Sequence, residues 1–117
     1  MAWYPVIFNN GGGGGGNYTD ALWDGTLISD IYIEHNGTET PYNGWSATDY
    51  LEIPNNVSTI YRAGQIGAAS YNAWYDENKT FISSFVSGSI DTVPNNAKYV
   101  RYSYATSAMT GKLFTEV

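Results

Sequence analysis

Cysteine is absent from the 117 residues, which excludes disulfides, thiolate nucleophiles and thiolate metal ligands. A chain of this length can bury one core without covalent staples, so the absence does not fix a compartment. Histidine occurs once, at His35, so a zinc site or a Ser–His triad would rest on a single residue. Charge is sparse: 14% of residues against roughly 25% in an ordinary globular protein. The five cations, Arg62, Lys79, Lys98, Arg101 and Lys112, are scattered and outnumbered by eleven carboxylates, for a net charge of −6. Neutralising phosphates needs a clustered basic face, so nucleic acid is set aside, and anionic membrane surfaces are disfavoured on the same ground. No run approaches the roughly 18 apolar residues of a membrane span, and membrane insertion is not expected. Residues 1–5 have neither a basic region nor a long apolar one, so no secretory leader is expected there and the protein is expected to be soluble. Helical periodicity is missing too, beyond a few residues at a time.

What remains is rich in uncharged hydrogen-bonding groups: 11 Asn, 11 Thr, 10 Ser and 11 Tyr. Hydrophobic residues make up 43%, enough for a core. Four Asn-X-Ser/Thr sequons, at Asn17, Asn36, Asn56 and Asn78, arise cheaply in such a composition and are read as unglycosylated.

Six consecutive glycines, residues 11–16, divide the chain. Fully extended they reach about 20 Å. Before them lies the apolar peptide Trp3-Tyr4-Pro5-Val6-Ile7-Phe8, too short to fold alone and an aggregation hazard if exposed. Residues 1–16 are expected to act as an anchor or linker that docks on the domain or on a neighbouring subunit. Residues 17–117 are expected to form one domain.

Within that domain the pattern is of strands. Residues 27–34 are β-branched and end in His35-Asn36-Gly37, a hairpin-turn signal. Residues 45–53 follow a loop that holds Pro41, Tyr42 and Gly44. Residues 59–63 and a final strand at 112–117 complete the periphery. The densest signal is in 71–104, where period-2 runs at 71–75, 81–85 and 99–104 are separated by Asp76-Glu77-Asn78-Lys79 and Pro94-Asn95-Asn96. Short strands with polar turns predict an all-β, antiparallel two-sheet β-sandwich, specifically a jelly roll. Leu51, Ile53, Tyr75, Phe81, Val100 and Tyr102 are its expected core.

Alternation in 97–104 places Val100, Tyr102 and Tyr104 inward and Tyr99, Arg101 and Ser103 outward. In 71–75, small Ala73 between two tyrosines reads as the packed face, leaving Asn72 and Trp74 outward. A Trp ring beside amide and guanidinium groups can cover the apolar face of a sugar while the polar groups take its hydroxyls. Asn72, Trp74, Tyr99 and Arg101 are therefore the candidate ligand-binding residues, with Trp45 as a loop contributor. The bland alternatives stay open: Trp74 as core, and Arg101 paired with a neighbouring carboxylate such as Asp76. Asp76-Glu77-Asn78 lacks the glycine and distal glutamate of a calcium loop, so Asp76 and Asn78 are expected to bond their own backbone. His35, before Asn-Gly, is expected in a solvated turn. No catalytic residue, metal or cofactor is singled out, and no pair among the eleven acids is marked by spacing for glycoside hydrolysis.

The succession GWSATDYLEIP, NAWYDENKTFISSF and VPNNAKYVRYSYAT resembles jelly-roll carbohydrate-binding-like modules of phage and prophage tail-fibre, baseplate and receptor-binding proteins. The matching stretches are 48–53, 75–82 and 94–103, in that order, and the likeness covers residues 22–117. It implies a non-catalytic module on a virion or in an extracellular setting, which binds host-surface polysaccharide and assembles as a homo-oligomer; residues 1–16 lie outside the likeness, and their apolar peptide is what is expected to contact other virion subunits. The alternative is a structural fibre or decoration subunit that uses the sandwich only for assembly.

Overall fold

The structure, a computed structural model, describes residues 17–66 and 70–117. The expected anchor and hexaglycine, residues 1–16, lie outside the described residues. Eleven strands follow in order: β1 (Tyr18–Thr19), β2 (Ile28–Ile33), β3 (Glu39–Ala47), β4 (Leu51–Glu52), β5 (Thr59–Ala63), β6 (Asn72–Tyr75), β7 (Phe81–Phe85), β8 (Ile90–Thr92), β9 (Tyr99–Arg101), β10 (Ser103–Ala105) and β11 (Lys112–Glu116). A three-residue 3₁₀ turn, Thr106–Ala108, is the one helical element among the described residues. All strand pairs are antiparallel.

Turn chemistry explains several boundaries. Asn36 Oδ1 accepts from Thr38 N at 3.0 Å, and Gly37 takes φ 84°, closing β2 onto β3 as the Asn-Gly signal predicts. Asp76 Oδ1 accepts from both Asn78 N and Thr80 N, at 2.8 and 2.9 Å, so this carboxylate builds the β6–β7 turn. Pro54-Asn55-Asn56 and Pro94-Asn95-Asn96 form twin turns. The second Asn of each sits at φ 69°, a region Asn enters more readily than most residues.

One layer has the order β1-β11-β5-β8. The other is made of β10-β3-β2 and β4-β9-β6-β7, joined because β9 and β10 are separated only by Tyr102. Thr48 stitches that gap: its N–H donates to Tyr102 O at 2.9 Å, and its Oγ1 accepts from Tyr102 N at 3.1 Å. Ile60 and Leu113 from the first layer pack with Leu51, Ile53, Trp74, Val100 and Tyr102 in one buried cluster. The architecture is all-β and antiparallel, compatible with a β-sandwich. Leu51, Ile53, Tyr75, Val100 and Tyr102 are buried as expected, while Phe81 is half-buried.

A polar network is enclosed beside this core. Asp91 is 4% exposed and accepts from Ser87 Oγ (2.9 Å), Gly88 N (2.8 Å) and the Tyr102 hydroxyl (3.1 Å). Burial pushes its carboxyl above the usual carboxylate range, against the pull of those donors and of Arg62. Arg62 Nε in turn donates to Ser87 Oγ and Gly88 O, tying β5 to the segment ahead of β8.

The β2–β3 hairpin does not simply extend its sheet. Its register jumps between Ser29↔Ser46 and Ile31↔Pro41, which sets four residues, 42–45, against Asp30 alone. Asp30 takes φ 63° and its Oδ1 accepts from Gly44 N, while Gly44 takes φ 88°. A bulge of this size bends the ribbon sharply. The distal half consequently lies over the outer face of β6 and β9–β10. There Ile33 N donates to Ser103 Oγ at 3.0 Å, the Tyr75 hydroxyl donates to Gly37 O at 2.7 Å, and Glu39 pairs with Arg101 at 2.9 Å. Ile33, Ala47, Ala73 and Tyr75 form a second buried cluster under this flap, with Ile31, Tyr50, Phe81 and Tyr99 around it.

Candidate functional site

The flap corrects the facing expected for β6. Ala73 and Tyr75 occupy the outer face, as expected of neither, and are buried there by the hairpin. Trp74 points into the main core at 3% exposure and stacks on Phe85, centroids 4.4 Å apart and planes at 21°. It is not a platform. Asn72 is fully buried as well: its amide donates to Phe85 O at 3.2 Å and accepts from Ser103 N at 3.1 Å. It satisfies backbone groups where β10 departs from β6 to pair with β3, a structural use of the amide rather than an outward one.

Arg101 does lie on the outer face with Tyr99, as alternation requires, but the flap covers it. Its side chain is 3% exposed, its Nε donates to Thr48 O at 2.9 Å, and its charge is met by Glu39, not by Asp76. Its guanidinium lies 4.7 Å from the centroid of Tyr50, against which it packs. Tyr99 is half-buried, and the Lys79 ammonium lies 5.2 Å from its ring centroid and 5.1 Å from that of Tyr50. Asn72, Trp74, Tyr99 and Arg101 are therefore not brought together as one open surface.

Trp45 is different. It stands in strand β3 rather than in a loop, inside the bulge that bends the hairpin, and it is half-buried. Around it gather Tyr32 from β2, Tyr42 from the bulge and Tyr71 from the segment leading into β6. The four rings meet edge to face. Tyr32 lies 5.2 Å from Tyr42, 6.0 Å from Trp45 and 5.3 Å from Tyr71, and Trp45 lies 5.8 Å from Tyr42 and 5.2 Å from Tyr71. Interplanar angles run from 66° to 90°. Tyr104 supports Trp45 from below at 5.4 Å. Together the four line a cavity of about 240 Å³, and Tyr42, 53% exposed, forms its outer lip.

A second hollow of about 350 Å³ adjoins it, sharing Tyr32 and Tyr71 and adding Glu34, His35 and Asn36. His35 is exposed at the hairpin tip, as expected, and stacks on Tyr71 at 5.1 Å with Nε2 2.9 Å from Ser70 Oγ. That spacing is within reach for a base and its nucleophile. Among the described residues, however, no carboxylate reaches the other ring nitrogen, and Glu34 is engaged by the Thr40 hydroxyl. The Tyr32 phenol is raised by burial and, next in size, by the negative charge of Glu34.

Comparison with protein-family models, with curated proteins and with solved structures gave no match to this chain. The site must speak for itself. Two larger hollows are poorer candidates. One, of about 440 Å³, lies beside the Asp20–Lys112 ion pair; the other, of about 420 Å³, is lined by the β6–β7 turn and Asn96 to Lys98. The first is lined by a single ring, Trp23, and the second by none. Among the described residues, no group of three or more His, Asp or Glu is placed to hold a metal ion, and no helix is long and apolar enough to cross a membrane.

Sequence reasoning found one of the four basin rings as a binding residue, Trp45. Tyr42 stood out only as a loop aromatic, Tyr32 as part of a strand, and Tyr71 as part of a packed face. The available signal was the number of large aromatics at positions that the core pattern did not require.

Proposed function

We propose that this chain is a non-catalytic carbohydrate-binding module of a phage or prophage particle, which attaches to host-surface polysaccharide. The observation that carries the reading is the Tyr32–Tyr42–Trp45–Tyr71 basin, an open group of aromatic rings, three half-buried and Tyr42 exposed, lined by no charged residue. Aromatic rings cover the apolar faces of sugars, and neighbouring phenols and amides supply hydrogen bonds. A basin this small gives a weak single contact, so useful affinity would come from several copies on one particle. That fits the expected homo-oligomer, with residues 1–16 contacting other virion subunits. The chain's alternation between layers, with β1, β5, β8 and β11 in one and the remaining strands in the other, supports the jelly-roll reading.

A second reading, a structural virion subunit, has its own support. Trp74 belongs to the core rather than the surface. Val86 and Ile90, 67% and 61% exposed, flank the turn between two edge strands, β7 and β8, where another subunit could pack. A glycan array probed with the intact chain, Tyr42→Ala and Trp45→Ala separates the two. Glycan signals that the substitutions remove support attachment. A blank array, with self-association weakened by Val86→Asp and Ile90→Asp, supports assembly alone.

A further inference from the structure

Within that attachment reading, on which this inference rests, we propose that the basin grips an alkylated ammonium group carried on the glycan, of the choline type, rather than the sugar ring itself. The argument starts from ring geometry. A platform for a pyranose face is a flat, single or coplanar aromatic surface. Here the four rings stand at 66° to 90° to one another and enclose a hollow, so different faces and edges converge on one small volume. A ring face carries the negative part of the aromatic quadrupole, and several rings gathered around one small hollow is the arrangement that recognises quaternary ammonium ions.

Charge complementarity points the same way. Glu34 borders the adjoining hollow, and no Lys or Arg lines either one among the described residues. The charged groups on the elements packed around the basin are Asp30, Glu34, Glu39 and Arg101. Arg101, the single cation of the four, is neutralised by Glu39 beneath the flap. His35, stacked on Tyr71, is the remaining titratable group at the rim besides the tyrosines. The chain's net charge of −6 favours a cationic ligand over a sialic acid or uronate.

The test uses the whole chain with choline chloride and tetramethylammonium chloride as probes, followed by tryptophan fluorescence and by chemical shifts of the tyrosine rings. The control is the neutral isostere of choline in which carbon replaces nitrogen. Choline should bind about tenfold more tightly than its isostere, the factor expected from a partly desolvated cation–π contact. Tyr42→Ala should abolish the difference, whereas Tyr42→Phe, which keeps the ring face and loses only the hydroxyl, should retain it. Tyr42 is exposed enough that neither change threatens the fold. Equal binding of choline and its isostere, or no binding of either ammonium salt, would overturn the proposal. If neutral glycans on an array bind in a Tyr42-dependent way while choline does not, the ammonium assignment fails and the attachment reading survives. Should choline bind while no glycan does, choline-bearing glycans included, the attachment reading fails, and the assignment to a glycan-borne group fails with it. Tyr42-dependent sedimentation with phosphatidylcholine vesicles, without retention on choline-bearing glycans, would overturn the assignment to a glycan-borne group.

Discussion

Removing one oxygen from Tyr102 isolates the enclosed network from the rest of the core. Tyr102→Phe keeps the ring that packs edge-on against Phe85 at 5.5 Å, and opens almost no cavity. It deletes the hydroxyl that donates to Asp91 Oδ2 at 3.1 Å, leaving that carboxylate with Ser87 Oγ and Gly88 N. A hydrogen bond to a charged group is worth about 1.5–3 kcal/mol, so this is the expected loss above the folded-state carboxyl's titration, where Asp91 is ionised. The pH dependence carries the sharper test. Burial raises the folded-state carboxyl above its unfolded value, so between the two values the folded state holds more protons. Asp91 consequently favours folding most when it is protonated, and that favour is lost as pH rises through the folded value. Deleting the Tyr102 donor removes a contribution that lowers the carboxyl, so the folded value climbs further and the window widens. The difference in stability between parent and variant should then shrink as pH falls, toward the roughly 0.5–1.5 kcal/mol of a neutral hydrogen bond. Urea denaturation of both proteins at pH 7 and near pH 4, compared at constant slope, measures this directly. A difference below about 0.5 kcal/mol at pH 7, or one larger at acid pH than at neutral, would refute the account of Asp91 as a buried, donor-held carboxylate.

Other substitutions separate structural from binding roles. Trp74→Ala should lower stability by about 3–5 kcal/mol, as expected for a buried aromatic, with a broad loss of tertiary signal rather than a selective loss of ligand binding. Gly37→Ala should weaken the fold by at least about 1 kcal/mol, measured by thermal unfolding, because φ 84° is strained for alanine and its Cβ would press into the Phe81 ring. Gly111→Ala places a Cβ against the backbone at Ala63 O and Gln65 N, which cannot swing aside, and should lower the urea midpoint more than a typical surface change. Glu39→Gln removes the carboxylate that faces nearly buried Arg101. It should destabilise by more than the roughly 1 kcal/mol limit of an exposed pair, with the size of the loss falling in high salt.

The strands of residues 71–104 are legible because alternation and turn residues agree there: β6, β7 and β9–β10 fall where the pattern puts them. Within β9–β10 the facing is legible as well, since Val100 and Tyr102 are unambiguous core residues. Facing fails in β6 for a physical reason. Both sides of that strand are buried, one by the opposite layer and one by the β2–β3 flap, so polarity gives no contrast between Trp74 and Tyr75. The flap depends on a bulge of residues 42–45 against Asp30, and a bulge in one strand is set by its partner's register. Local composition there reads as a loop. The basin was hidden for the same reason, because Tyr32, Trp45 and Tyr71 meet only once the hairpin has folded back. β8 and β1, three and two residues in length, were too short to leave a periodic trace.

Three of the four basin rings, and the bulge that carries two of them, come from a single ribbon, residues 28–47, whose tip hangs from the sheet by hydrogen bonds to Ser103, Tyr75 and Arg101. The scaffold and the reading surface are thus inherited separately. Exchange of Tyr32, Tyr42 or Trp45 leaves Ile60, Val100, Tyr102 and Leu113 untouched, so under the proposed attachment role ligand preference would change without loss of the main core. Libraries randomised at the bulge, with the three attachment points held fixed, would make this ribbon a graftable recognition cassette.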